Sequence, residues 1–341
     1  MRDSGQLLQM VHEAMVKTGL DVNAIYGRLG YDAEKLSPRE LRTPHRLQAF
    51  FWETVEAVTG DPDIGLHLCP QLPVFQGEII QYLMFSSPTF ADGAHRSLKF
   101  LRLISDALSI RLINDDKGVR AAIRSTGLNA PQLRHTEICT AYSVTRFIQK
   151  MTDQQYAPLR VRLCCSRRSP LADYEKIFGC PVEFGGSESE TWFDPGVLDY
   201  RSPHRNPDLL NLHEEVAEQQ LSKVQRMDMI EQIRGVFAQR LELENCTLDD
   251  IARELGMPAR RLRFALSQAG TSFKKLLSDF RYALARRLLT RTEDPIENIV
   301  YLTGFSEPST FYRAFRRWSG MTPLQYREQH KSARLIRVTK S

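Results

Sequence analysis

Six arginines gather in two short stretches near the end of the chain: Arg260, Arg261 and Arg263 in the first, Arg313, Arg316 and Arg317 in the second. A guanidinium fork can pair bidentately with guanine O6 and N7 in a major groove, or grip a phosphate. Phe264 accompanies the first group, and Ser309 and Tyr312 accompany the second. An exposed phenylalanine can meet a thymine methyl. The competing reading is a basic face that only meets solvent, and composition by itself does not separate the two.

Spacing supplies the elements that must hold these side chains. In the second stretch Phe311, Ala314, Phe315 and Trp318 recur at helical intervals and form a stripe to be buried. Ser309, Tyr312, Arg313 and Arg316 therefore point outward, with Arg317 beside them. Ser306 is placed to cap this helix, and Pro308 suits its first turn. In the first stretch Leu262, Ala265, Leu266 and Ala269 make the core face, which leaves Arg260, Arg261, Arg263 and Phe264 outside. Here Pro258 stands at the cap position and brings no side-chain cap.

Both stretches close a longer unit that occurs twice. LDDIARELGMPARRLRFALSQAGTSF (248–273) and IENIVYLTGFSEPSTFYRAFRRWSGMTP (296–323) are near-repeats. Ile251, Leu255 and Gly256 match Ile299, Thr303 and Gly304. After a one-residue insertion, Leu262 and Leu266 match Phe311 and Phe315. Each copy reads as a short helix, a glycine-containing turn and a second helix, which is helix-turn-helix architecture. Between them, SFKKLLSDFRYALARRLLTR (272–291) reads as one helix with Phe273, Leu276, Leu277, Phe280, Leu284 and Leu288 on a single face. At 1.5 Å per residue ~18 residues span ~27 Å. With the flanking turns, such a linker helix would set the two outer helices ~34 Å apart, one turn of DNA.

Charge follows the same division. From Cys246 to Ser341 there are 18 lysines and arginines against 9 aspartates and glutamates, whereas the rest of the chain has 28 against 32. A net charge of +5 thus conceals a basic final third on a mildly acidic body, the pattern of a protein that delivers one domain to a polyanion. The 341 residues, 42% hydrophobic and 26% charged, suit a globular chain of two domains.

The body mixes helical and strand periods. Residues 5–18, 45–59 and 90–109 read as helices, and LSIRLIN, DDKG and VRAAIRS read as a hairpin. A helix over 133–150, a strand over 159–165, a helix over 170–179 and strands in CPVEFGG and ETWFD follow. YRSPHRNPD (200–208) is rich in breakers and suits a linker. Beyond it, 209–223 and 226–242 read as amphipathic helices, and the last residues as a frayed basic end. The expected fold class is a mixed α/β N-terminal domain plus an all-α C-terminal domain with two helix-turn-helix motifs joined by a linker helix. The expected boundaries are 1–200 for an effector and dimerisation domain, 201–224 for a linker and helix, 225–330 for the tandem motif and 331–341 for a basic tail.

Several chemistries find no footing. No nucleophile elbow, phosphate loop, dinucleotide fingerprint or paired-histidine metal motif occurs, so no enzyme activity, cofactor or metal is expected. Six cysteines without pairing rhythm suit a reducing compartment, and buried inert thiols are favoured over a redox switch. Cys164 and Cys165 should face opposite sides of a strand. No long apolar run predicts a membrane span, and the first residues lack a signal-peptide pattern. A cytoplasmic protein is the expectation.

LTGFSEPSTFYRAFRRWSGMTPLQYR (302–327) resembles the second helix-turn-helix of the AraC/XylS family of bacterial transcription regulators nearly throughout. GEIIQYLMFSSPTFADGAHRSLKFLRLIS (77–105) and PLADYEKIFGCPVEFGG (170–186) resemble the N-terminal domain of the subgroup that includes the ornithine-utilisation regulators. The resemblance implies sequence-specific binding to double-stranded promoter DNA through both motifs. It also implies a homodimer, activation or repression governed by the N-terminal domain, an unidentified small-molecule effector, and RNA polymerase as a further partner. Arg313 falls where the family carries its base-contacting arginine. Two departures stand out: Pro258 replaces the usual serine cap, and Phe264 sits where an arginine commonly meets DNA. Phe264 then either reaches a thymine methyl or packs on a neighbouring domain. Two alternatives remain: a regulator governed by dimerisation or a protein partner without any ligand, and a DNA-repair alkyltransferase of the Ada type. The latter needs a cysteine in a P-C-H-R context, which no cysteine here has.

Overall fold

The computed structural model describes residues 1–30, 42–73, 78–128, 130–239 and 246–338. Two compact units divide the chain, Met1–Leu221 and Ser222–Ser341.

The first unit opens with β1 (Arg2–Ser4) and α1 (Gly5–Lys17), the helix capped by the Ser4 hydroxyl. Next come α2 (Val22–Leu29), β2 (Arg42–Pro44), which pairs antiparallel with β1, and α3 (Leu47–Thr59). Three further helices, α4 (Ile64–Leu68), α5 (Ile79–Ser86) and α6 (Phe90–Leu98), precede the main sheet. The β1–β2 pair, α2, α4 and α5 were not anticipated from periodicity.

The helix expected over 90–109 ends early. α6 stops at Leu98, and after a single 3-10 turn β3 begins at Leu108. A tertiary clamp takes the chain away from the helix: Asp106 accepts from the Arg2 backbone N–H and from Arg42, both at 2.9 Å. The expected hairpin is β3 (Leu108–Asp115) with β4 (Gly118–Ser125). Then follow α7 (Ala130–Met151), β5 (Arg160–Leu163), α8 (Leu171–Phe178), β6 (Val182–Phe184) and β7 (Ser189–Phe193).

The sheet order is β3-β4-β7-β5-β6, antiparallel except between β5 and β6. One face is apolar and covered by α7, whose Ile138, Ala141 and Tyr142 join Ile123, Val161 and Leu163 in the main core. On the other side Arg162 pairs with Glu183 and Glu190, and the Arg160 guanidinium lies 4.0 Å from the Trp192 ring centre. These arginines are thus committed to the sheet.

Where two helices were expected over 209–223 and 226–242, one helix, α9 (Pro207–Gln239), runs through, and residues 240–242 lie outside the described ones. Val224 and Gln225 contain no breaker, so nothing interrupts the helix. Pro207, read as a breaker, instead opens the helix, where a missing N–H costs nothing, and the Asn206 side chain accepts from Asp208 and Leu209 N–H.

The second unit is all-helical: α10 (Leu248–Glu254), α11 (Ala259–Gln268), α12 (Phe273–Arg291), α13 (Ile296–Leu302), α14 (Pro308–Ser319) and α15 (Pro323–Val338). The last helix continues into the segment read as a frayed tail, and residues 339–341 lie outside the described ones. α12 serves two cores. Leu276, Leu277 and Phe280 pack with Ile233, Phe237 and Leu266, whereas Ala285, Leu288 and Leu289 pack with Ile299, Phe311 and Phe315. Among the described residues no helix is long and apolar enough to cross a membrane.

Candidate functional site

The two near-repeats fold alike down to their hydrogen bonds. At the end of α10, Leu255 N–H donates to Ile251 O, Gly256 N–H to Arg253 O and Met257 N–H to Ala252 O. At the end of α13, Thr303, Gly304 and Phe305 make the matching bonds to Ile299, Tyr301 and Val300. Gly256 (φ 64°) and Gly304 (φ 76°) both occupy the left-handed region, which a side chain would strain. The turn redirects the chain so that α11 and α14 cross their first helices with the apolar stripe inward. Leu262, Leu266, Phe311 and Phe315 are almost fully buried, and Trp318, half-buried, donates to Ser278 Oγ at 2.9 Å.

Burying those stripes forces the opposite faces into solvent. Arg260, Arg261, Arg263 and Phe264 on α11 are exposed, and so are Ser309, Tyr312, Arg313, Arg316 and Arg317 on α14. Phe264 is 66% exposed, which is costly for an aromatic with no partner. Among the described residues no carboxylate pairs with any of these six arginines; the closest engagement is Arg313 Nη2 to Thr310 Oγ1 at 3.4 Å. Other cations nearby are spent: Arg286 donates to Tyr326 Oη at 2.8 Å, and Arg253 pairs with Asp250. The outward arginines therefore keep their forks free for an external anion or base edge.

One expectation about α14 is corrected. Ser306 does not cap it. Pro308 takes the first helical position and holds Glu307 extended (φ −129°, ψ 132°), so the cap position falls on Glu307, which makes no side-chain cap bond. α11 likewise starts at Pro258 without one. The two helices thus share an uncapped start, and the difference between them lies in Arg313 against Phe264.

Four of the six cysteines are held away from the thiolate form. Burial pushes the Cys164 and Cys165 thiols up to about 12 and Cys180 to about 11, and Cys69 goes well above its ordinary value. At neutral pH these four stay protonated, whereas attack or methyl acceptance needs the thiolate.

A second feature escaped the sequence. A cavity of about 340 Å³ lies in the first unit, walled mainly by apolar side chains of α1, α3, α6, α7 and the sheet. At its margin Asp3 accepts from His45 Nδ1 at 2.9 Å, Ser105 Oγ at 2.5 Å and Gln48 Nε2 at 2.9 Å. Burial works to raise the Asp3 carboxyl, but these three donors together hold it below the usual aspartate value.

Comparison with known proteins adds the family context. Residues 19–202 match the family described as the arabinose-binding domain of AraC transcription regulators, N-terminal, and residues 251–329 match a helix-turn-helix domain. The ornithine utilization regulator of Pseudomonas aeruginosa is 28% identical over 332 residues, covering 94% of this chain and 97% of that one. The transcriptional regulator VirS of Mycobacterium tuberculosis is 30% identical over 272 residues, 78% of each chain. The crystal structure of the transcriptional regulator CdpR from Pseudomonas aeruginosa aligns with a TM-score of 0.46 and 18% identity, over 94% of this chain and 97% of that one.

Proposed function

The chain belongs to the AraC family of transcription regulators, and on that premise we propose that it reads double-stranded promoter DNA with α11 and α14 in two successive major-groove segments. Arg313 pairs with a base, and Arg260, Arg261, Arg263, Arg316 and Arg317 hold the backbone, with Ser309 and Tyr312 beside them. Phe264 is placed for a thymine methyl. The chain acts in the cytoplasm without catalysis, as a homodimer assembled through residues 1–224. Its N-terminal unit responds to a small molecule and sets activation or repression at RNA polymerase. The observation that carries this reading is the set of six exposed arginines, without a carboxylate partner among the described residues, on the outer faces of two helices whose inner faces are used in packing.

The test is a binding isotherm on a duplex enriched from a random pool by the protein itself, measured across salt. A chain that neutralises about six phosphates loses roughly three orders of magnitude in affinity between about 50 and 200 mM salt. A flat response, or equal affinity for scrambled duplex, would sink the proposal.

A further inference from the structure

We infer that the cavity in the first unit takes an uncharged, predominantly apolar small molecule rather than a sugar or an amino acid; this rests on reading that unit as the effector domain. Its volume of about 340 Å³ lies within the range of roughly 300–1,000 Å³ found for small-molecule sites. α7 gives it one helix face, Thr136, Thr140, Ser143, Val144 and Phe147, at intervals of three and four residues. Leu8, Phe51, Leu98 and Leu112 are among the side chains that complete the wall.

What the wall lacks decides the ligand class. Among the described residues the lining holds no lysine and no arginine. Its two carboxylates are already engaged, Asp3 by three donors and Glu78 in the capping box that starts α5. An amino acid would leave its carboxylate in an apolar site without a countercharge. A sugar would bring a hydroxyl on nearly every carbon, and most would lose their water without finding a partner. Ser143, half-buried, makes no hydrogen bond among the described residues, and the buried Tyr26 hydroxyl and His45 Nε2 of the lining are without a partner there too. A hydroxyl or carbonyl or two on an otherwise apolar molecule, fewer than a sugar carries, is what such a wall can satisfy.

The test uses the full chain and N-phenylnaphthylamine, an uncharged dye that fluoresces on leaving water. Bound dye is then challenged with decanol, L-arabinose or L-ornithine. The expected result is saturable dye binding, displacement by micromolar decanol, and none by the sugar or the amino acid at millimolar concentration. Ser143→Phe, which puts a ring into the cavity, should weaken dye and decanol by about tenfold or more while the cooperative melt is retained. Should that variant not fold, Thr140→Leu fills the same stripe more mildly and should weaken both ligands less. Undiminished binding in a folded variant places the dye elsewhere and overturns the assignment, and displacement by arabinose or ornithine overturns the ligand class. Affinity for the enriched duplex is followed in parallel. Decanol that binds in the cavity yet leaves DNA affinity unchanged supports the ligand class while removing effector control, so the two failures separate.

Discussion

Arg313 and Phe264 occupy comparable outward positions on α14 and α11, one a charged fork with only a threonine hydroxyl in reach, the other a bare ring. The fork suits a guanine edge and the ring does not, so sequence information should be carried unequally. Arg313→Ala is expected to cost ~1–3 kcal/mol on the enriched duplex and to relax base preference at one position. Arg260→Ala or Arg261→Ala should weaken all duplexes alike and lower the salt slope, as lost phosphate contacts do. Phe264→Ala should matter only where a thymine lies opposite, and its effect should vanish when uracil replaces that thymine. Fluorescence anisotropy on matched and scrambled duplexes measures the whole series. A specificity change from Arg260→Ala with none from Arg313→Ala would reverse the assignment.

Elements fail differently from residues. Phe315 is fully buried where α12, α14 and α15 meet, with Tyr282 and Tyr326 ring centres 5.8 and 5.4 Å away. Phe315→Ala should therefore cost ~3–5 kcal/mol and abolish DNA binding with every arginine still in place, which urea melts beside anisotropy will show. The β1–β2 corner has a pH signature instead. Asp3 is held below its unfolded value, so its stabilisation is present above pH ~4 and lost as pH falls through the folded value. Asp3→Asn should lower stability near neutrality by ~1–3 kcal/mol and converge with the parent in acid; a constant gap across pH in urea melts would refute that. These examples also show what the sequence can carry. Both outward faces were legible because a 3.6-residue period writes inside and outside into one short segment. The Asp3 corner and the cavity were not, because Ser105 and Gln48 reach Asp3 from about a hundred and about forty-five positions away. The cap of α14 misled for a local reason: Pro308 shifted the helix start by one residue.

At the scale of the whole molecule, charge is partitioned, with 18 basic against 9 acidic residues from Cys246 onward and 28 against 32 before it. The basic third carries the attraction to a polyanion, and the mildly acidic body adds nothing to it. Light scattering at micromolar concentration should report a dimer, both for the full chain and for residues 1–224; monomers in both cases would remove the homodimer. The cavity bears on every such measurement through the history of the sample. A molecule that binds the folded chain and not the unfolded one stabilises it by mass action, by about 2.7 kcal/mol at a hundred times its dissociation constant. If the cavity takes the apolar ligand proposed above, a molecule acquired during growth and lysis would travel with the chain through purification. Two batches from cells grown on different carbon sources would then differ in melting temperature and DNA affinity while their sequences are identical. A ligand-free baseline is then made by unfolding, solvent extraction and refolding, with the extract kept so that mass spectrometry can show whether it contains a bound molecule.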